Sequence, residues 1–323
     1  MALTEFELIE RFFRRPARSA KLGIGDDAAL VVPSPGCELA VSVDMLVSGR
    51  HFLADADPES IGHKTLAVNL SDMAAIGATP RWALLAAALP EVDTTWLAAF
   101  ARGLFSLADE HDVELIGGDT TRGPLTLSVT ILGEVPAGRA LLRGGAKSGD
   151  SIWVSGRLGD AALALAHVQG HVALSAEEFA VCAHALLLPA PRVGLGEKLR
   201  GIASAAIDIS DGLMGDLGHV LQASGVGAML ELAAIPRGAA VQRVLAGPQR
   251  ELALRCLLAG GDDYELCFTV PQARESSLGA VARDLGLALA RIGSISGATG
   301  IVVRDESGRA LASLPRSFDH FVP

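Results

Sequence analysis

DPESIGHKTLAVNLSDMAAIGATP, residues 57–80, is the stretch from which the fold is most directly read. Asp57 is a good N-cap and Pro58 suits the first helical position. The apolar residues Ile61, Leu66, Val68, Met73 and Ile76 carry a helix on to Gly77 and Pro80, where it must stop. Thr65, Asn69 and Asp72 fall at i, i+4 and i+7 on that helix and so form one polar stripe. Ala67, Val68, Leu70, Met73 and Ala74 leave little other surface for solvent, so the stripe is expected to face a polar cleft.

Outward from this helix, strands and helices are mixed in both directions. Toward the N-terminus lie a short amphipathic helix near Glu5 to Arg14, a Gly-rich turn at GIGDDAAL (residues 23–30) and an alternating strand at Leu39 to Met45. Beyond it come a helix from about Thr94 to His111 and a half-buried strand over residues 125–135. The stretch PAGRALLRGGAKSGD, residues 136–150, then gathers Pro, Gly and charge and marks a domain boundary. The second half reads as strands at Ser151–Ser155, residues 205–210, Met229–Leu232, Leu266–Val270 and Ile301–Arg304. Its helices fall near Asp160–Val168, Glu177–Leu187 and Arg274–Leu285. The expected class is a mixed α+β protein of two domains, residues 1–138 and 149–323, whose sheet order the pattern does not give. A chain of 323 residues is long enough for two cores at about 150 residues each.

Composition narrows the function. Half the residues are hydrophobic, a fifth are charged, and 27 Lys plus Arg face 37 Asp plus Glu, a formal charge of −10. No dense basic stripe supplies the footprint of a nucleic-acid binder. The longest apolar stretch, Trp82 to Leu89, falls well short of the roughly 20 residues of a membrane span. The N-terminal residues lack the apolar stretch of a signal peptide, so a cytoplasmic protein is expected. Cys37, Cys182, Cys256 and Cys267 include no CxxC pair and read as reduced thiols rather than a disulfide or zinc framework.

Chemistry is carried by aspartates that sit at the ends of apolar strands or beside glycines. They are Asp26 and Asp27 in GIGDD, Asp44 in SVDM, Asp72 in NLSDM, Asp119 in GGDTT, Asp208 and Asp211 in AIDISDG, and Asp262 and Asp263 in GGDDYE. Crowded carboxylates stay ionised only beside cations. Oxygen donors without Cys or clustered His suit Mg²⁺, Mn²⁺ or Ca²⁺. Gly117-Gly118-Asp119 and Gly260-Gly261-Asp262 would let backbone amides approach an anion beside a metal-holding carboxylate. GIGDDA is rejected as a dinucleotide fingerprint, because Asp26 and Asp27 would oppose the pyrophosphate and no strand precedes Gly23. RGGAKSGD lacks the register of a P-loop, and no nucleophile motif is present. Mg²⁺ with a polyphosphate remains.

These motifs, taken in order, resemble the thiamine-monophosphate kinase family of the aminoimidazole ribonucleotide synthetase-like superfamily. The matching segments are GIGDDAAL, SVDMLVSGRHF, KTLAVNLSDMAAIGATP, LIGGDTTRGPL, RGGAKSGD, AIDISDGLMGDLGH and GGDDYELCFTVP, which together span nearly the whole chain. The resemblance implies ATP-dependent phosphorylation of thiamine monophosphate, several Mg²⁺ ions, and a homodimer whose N-terminal sheets pair into a barrel, the C-terminal domain completing the active site. It also implies metal ligands at Asp27, Ser42, Val43, Asp44, Asp72, Asp119, Asp208 and Asp211. Nucleotide contacts fall at Gly118, Asp119, Arg143 and Ser210, and thiamine-phosphate contacts at His51, Asp262 and Phe318. Val43 stands where the family commonly has Thr, so a metal contact there must use its carbonyl; Asp262 stands where Glu is frequent. An ATP-dependent synthetase of the same superfamily and a non-catalytic nucleotide or metal sensor are the alternatives.

Overall fold

The computed structural model describes residues 3–317. The chain separates into two compact units that meet in sequence at Gly138 and Arg139, with Ala74–Gly77 counted with the second. The first unit contains α1 (Glu5–Phe12), β1 (Cys37–Val47), α2 (Pro58–Ile76), β2 (Thr79–Leu89), α3 (Thr94–Glu110), β3 (Glu114–Arg122) and β4 (Thr126–Pro136). Its four-stranded sheet has the order β1-β4-β2-β3, with β2 and β3 parallel and the other pairs antiparallel.

Alternation along β1 divides this sheet into two faces. Ala40, Ser42, Asp44 and Leu46 share a face with the buried Val129 and Ile131 of β4 and with Leu85 of β2. α2 lies against that face, its Met73 sulfur standing over Gly133. Val41, Val43 and Met45 occupy the other face, where each is about 60% exposed (60%, 61% and 58%). α2 and α3 approach closely at Gly62 and Gly103, where a Cβ would collide with the Phe100 and Glu59 carbonyls. Trp96 stacks on Phe100 at 5.2 Å, and Asp93 caps α3 by accepting the Thr95 and Trp96 amides.

β2 and β3 are strands that the sequence pattern did not reveal. β2 (TPRWALLAAAL) is rich in Ala and Leu, and pairing on both sides overrides its weak β propensity. Gly117 and Gly118, expected to let backbone amides approach an anion, lie within β3. Gly118 has φ 150°, and a Cβ there would meet the Leu85 carbonyl, so close pairing with β2 is what demands glycine.

The second unit contains β5 (Ser151–Ser155), α4 (Asp160–Val168), α5 (Ala176–Leu187), α6 (Val193–Leu199), β6 (Ala205–Ile209), α7 (Leu213–Ser224) and β7 (Gly227–Glu231). It continues through α8 (Ala239–Ala246), α9 (Arg250–Ala259), β8 (Glu265–Val270), α10 (Leu278–Leu285), β9 (Leu289–Ser296) and β10 (Gly300–Arg304). The expected helix over 274–285 divides into a 3₁₀ turn, Gln272–Ser277, followed by α10. Six strands form a mixed sheet of order β10-β7-β9-β5-β8-β6, parallel only between β10 and β7. Every residue of β6 and β8 is buried, Asp208, Glu265 and Thr269 included. The chain is thus a mixed α/β protein with mixed sheets. Among the described residues no helix is long and apolar enough to cross a membrane.

Burial pushes the thiols of Cys182 and Cys267 up to about 12 and that of Cys256 up to about 11, so all three stay protonated at neutral pH. Cys37 is only half-buried.

Candidate active site

In the first unit, the middle of β1 and the polar stripe of α2 form one hydrogen-bonded group. Ser42 donates to Asp72 Oδ2 at 2.5 Å, and the Asp44 amide donates to Asn69 Oδ1 at 3.2 Å. Asn69 Nδ2 in turn donates to the Thr65 carbonyl, and Thr65 Oγ1 to that of Ile61. Thr65 and Asn69 are fully buried, so the expected cleft-facing stripe is corrected: β1 covers it, and only Asp72 is half-exposed. Asn69, itself held by the Thr65 carbonyl, fixes the backbone of β1 at Asp44, and the Ser42, Asp44 and Asp72 oxygens lie on one side of the sheet.

Asp119 is placed differently. It pairs with Ala86 of β2, which pairs with Ser128 and then Met45, so it points to the sheet face opposite Asp44. Three strand spacings, about 14 Å, also separate their backbones. Asp27 is exposed in the Gly-rich turn, its amide donating to Asp26 Oδ1 at 3.0 Å. That turn is tied down on both sides: Glu114 accepts the Ser19 and Ala20 amides, and Glu134 accepts the amide and hydroxyl of Ser34. His51 follows β1, and its Nδ1 accepts the Val47 amide at 3.0 Å, so the neutral ring carries its proton on Nε2.

In the second unit, the end of β6 and the GGDDYE loop run side by side. The Asp262 amide donates to the Ser210 carbonyl at 2.9 Å, and the Tyr264 amide to that of Ile209 at 2.8 Å. These bonds hold Asp262 (φ 69°) and Tyr264 (φ 48°) in the left-handed region, and the Tyr264 hydroxyl donates to Asp262 Oδ1 at 3.2 Å. Asp208, Ser210, Asp211 and Asp262 are therefore neighbours. Arg143 is exposed in the linker, whose turn is organised by Ser224. Phe318 lies outside the described residues.

Asp216 and Glu265 were missed in the sequence, and Asp263 was noted there without a role. Asp216, in the first turn of α7, accepts the amides of Ser210 at 3.1 Å and Asp211 at 3.0 Å through the same oxygen. Burial, then the charges of Asp208 and Asp211, push its carboxyl up to about 7. Asp263 accepts the Gly159 amide through both oxygens and so caps α4 from a distant part of the chain. Its carboxyl is raised well above the usual range, chiefly by burial. Glu265 forms a paired contact with Arg192 and accepts the Ser155 hydroxyl at 2.5 Å beneath the loop. Asp216 stands inside the quoted AIDISDGLMGDLGH, but only its burial marks it, and burial of one carboxylate leaves no signal in spacing.

Among the described residues, no three His, Cys, Asp or Glu side chains enclose an ion by themselves. Donors arranged in ones and twos, all oxygen, fit Mg²⁺, which is commonly held by one or two carboxylates with water and substrate phosphates completing its shell.

Two family models match the chain: AIR synthase related protein, N-terminal domain, over residues 25–135, and AIR synthase related protein, C-terminal domain, over residues 147–306. A thiamine-monophosphate kinase of Salmonella typhimurium strain LT2 is 50% identical over 303 residues, 92% of this chain and 91% of that protein. The crystal structure of thiamine-monophosphate kinase from Stenotrophomonas maltophilia K279a matches with a TM-score of 0.85 at 48% identity, covering 96% of this chain and 99% of the other. A structure described as AaThiL complexed with AMPPCP and TMP matches with a TM-score of 0.77 at 29% identity, covering 90% and 89%. The two matching domains and this identity along nearly the full length place the chain in the thiamine-monophosphate kinase family.

Proposed function

We propose that this chain transfers the γ-phosphoryl group of ATP to thiamine monophosphate, giving thiamine diphosphate and ADP. The observation that carries the reading is full-length similarity to thiamine-monophosphate kinases together with oxygen-only donor groups at each motif. A phosphate monoester has its second pKa near about 6, so the attacking oxygen is already largely ionised at neutral pH and needs no general base. That oxygen forms a bond to the γ-phosphorus as the bond from phosphorus to the β,γ-bridging oxygen breaks, and the electron pair leaves on ADP. Mg²⁺ bound at the phosphates would supply charge neutralisation along this path.

The chain's own residues divide the work. Asp27, Ser42, Asp44, Asp72, Asp119, Asp208 and Asp211 are proposed metal ligands, with Val43 contributing its carbonyl because its side chain lies on the opposite face from Ser42 and Asp44. Gly118, Asp119, Arg143 and Ser210 are proposed to hold the nucleotide, and His51, Asp262 and Phe318 the thiamine phosphate. The Nε2 proton of His51 suits a phosphate oxygen. Asp262, anchored to β6, would receive the cationic part of the substrate. We further propose a cytoplasmic homodimer in which a second copy covers the exposed Val41, Val43 and Met45.

The test is incubation with ATP and Mg²⁺ plus either thiamine monophosphate or formylglycinamidine ribonucleotide, with products separated by chromatography. Thiamine diphosphate from the first alone supports the kinase. Conversion of only the second would establish a synthetase, and ATP binding with no turnover of either would establish a sensor.

A further inference from the structure

The loop between β6 and α7 has to present two side chains, Ser210 and Asp211, while its backbone follows neither a strand nor a helix. Its polar main-chain groups are nevertheless committed. The Ser210 carbonyl accepts from Asp262, and the Ser210 and Asp211 amides both donate to one oxygen of Asp216. Gly212, the N-cap of α7, offers no side chain for capping and has φ 109°, and a Cβ there would collide with Ala259. Asp216 is only 4% exposed and stands one turn into the helix. Burying a carboxylate so completely is unfavourable unless it is well bonded, and two amides of one tight loop provide that bonding.

We propose that Asp216 is a positioning residue for phosphoryl transfer: it fixes the Ser210–Asp211 backbone so that the Ser210 hydroxyl and the Asp211 carboxylate stand ready for the metal-bound nucleotide. This rests on the kinase reading given above. The Ser210 amide is thereby committed to Asp216, which leaves the hydroxyl as the Ser210 donor for the nucleotide. The single accepting oxygen has a sharp consequence. Asn at position 216 keeps an oxygen able to accept both amides, whereas Leu of similar volume keeps none.

The experiment compares Asp216→Asn, Asp216→Leu and Asp211→Asn in three measurements. Amide exchange at Ser210 and Asp211 reads the loop, calorimetric titration with AMPPCP at fixed Mg²⁺ reads nucleotide affinity, and steady-state kinetics reads KM for ATP against kcat. Asp216→Asn is expected to retain amide protection and nucleotide affinity within about threefold. Asp216→Leu is expected to lose protection at these two amides and to weaken AMPPCP binding by about tenfold or more, the scale of losing charge-assisted hydrogen bonds. Equal affinity in the Leu and Asn variants, with Asp211→Asn weakened, overturns the positioning role and leaves the kinase reading intact. Unchanged affinity in Asp211→Asn would instead remove the proposed role of the loop itself. If Asp216→Leu does not fold, Asp216→Asn alone decides: lost protection or a tenfold loss of affinity there contradicts the proposal.

Discussion

At the scale of single residues, the aspartates are not equivalent. Asp44 and Asp72 belong to one group that Asn69 and Ser42 organise, whereas Asp119 stands on the other sheet face. Asp→Asn at Asp44, Asp72 or Asp119 is expected to lower kcat/KM by about 100-fold or more, since each removes charge from where phosphate must be neutralised. Melting temperatures should stay close to the parent, because these carboxylates are not core residues; parental turnover in all three would refute the metal scheme. Asp160 behaves differently. Its buried carboxyl is raised, chiefly by desolvation, with Arg157 at 3.8 Å compensating only partly. A raised value in the folded state means that the native protein holds this proton more tightly than the unfolded chain. The stability it confers is therefore lost as pH rises above the ordinary carboxylate range. Asp160→Asn should raise the melting temperature near about pH 8 and leave it unchanged near about pH 4. A gain of equal size at both would show that charge burial is not the cause.

At the scale of elements, the crossing of α2 and α3 depends on two glycines that interlock with the opposing backbone. Gly103→Ala would force the helices apart and is expected to cost about 1–3 kcal/mol, read as a lowered denaturant midpoint; an unchanged midpoint would contradict the close approach. Elements were legible where a long apolar pattern ran between clear breaks. α2 begins at Pro58 and ends before Gly77 (φ 71°), as its signals indicate, and α4 spans Asp160–Val168 as read. β2 and β3 were not legible, because Ala-rich and Gly-containing strands owe their state to neighbours that no local pattern contains. The polar stripe of α2 was seen correctly as a unit. Its surroundings were misread, since nothing in the helix itself says that β1 will cover Thr65 and Asn69 while leaving Asp72 half-exposed.

At the scale of the whole molecule, each unit carries its own core and its own set of oxygen donors, which is why recognition by motif reached the family while the geometry of Asp119 and the support from Asp216 had to come from the structure. The outer face of the first unit's sheet leaves Val41, Val43 and Met45 open to solvent on the edge strand β1. Isolated exposed apolar residues are ordinary, but three in alternation on one strand make a face. Val41→Lys should convert a dimer to a monomer in light scattering; a wild-type protein already monomeric at assay concentrations would contradict the dimer.

The central claim is direct transfer between two phosphates on a platform of carboxylates, with no phosphorylated protein residue between them. It is tested most directly with ATP made chiral at the γ-phosphorus by oxygen isotopes and sulfur, by reading the configuration of the terminal phosphorus in the thiamine diphosphate formed. Inversion is the expected result, since one in-line displacement inverts the centre once. Retention would mean two displacements and a covalent phosphoenzyme, and would contradict the claim.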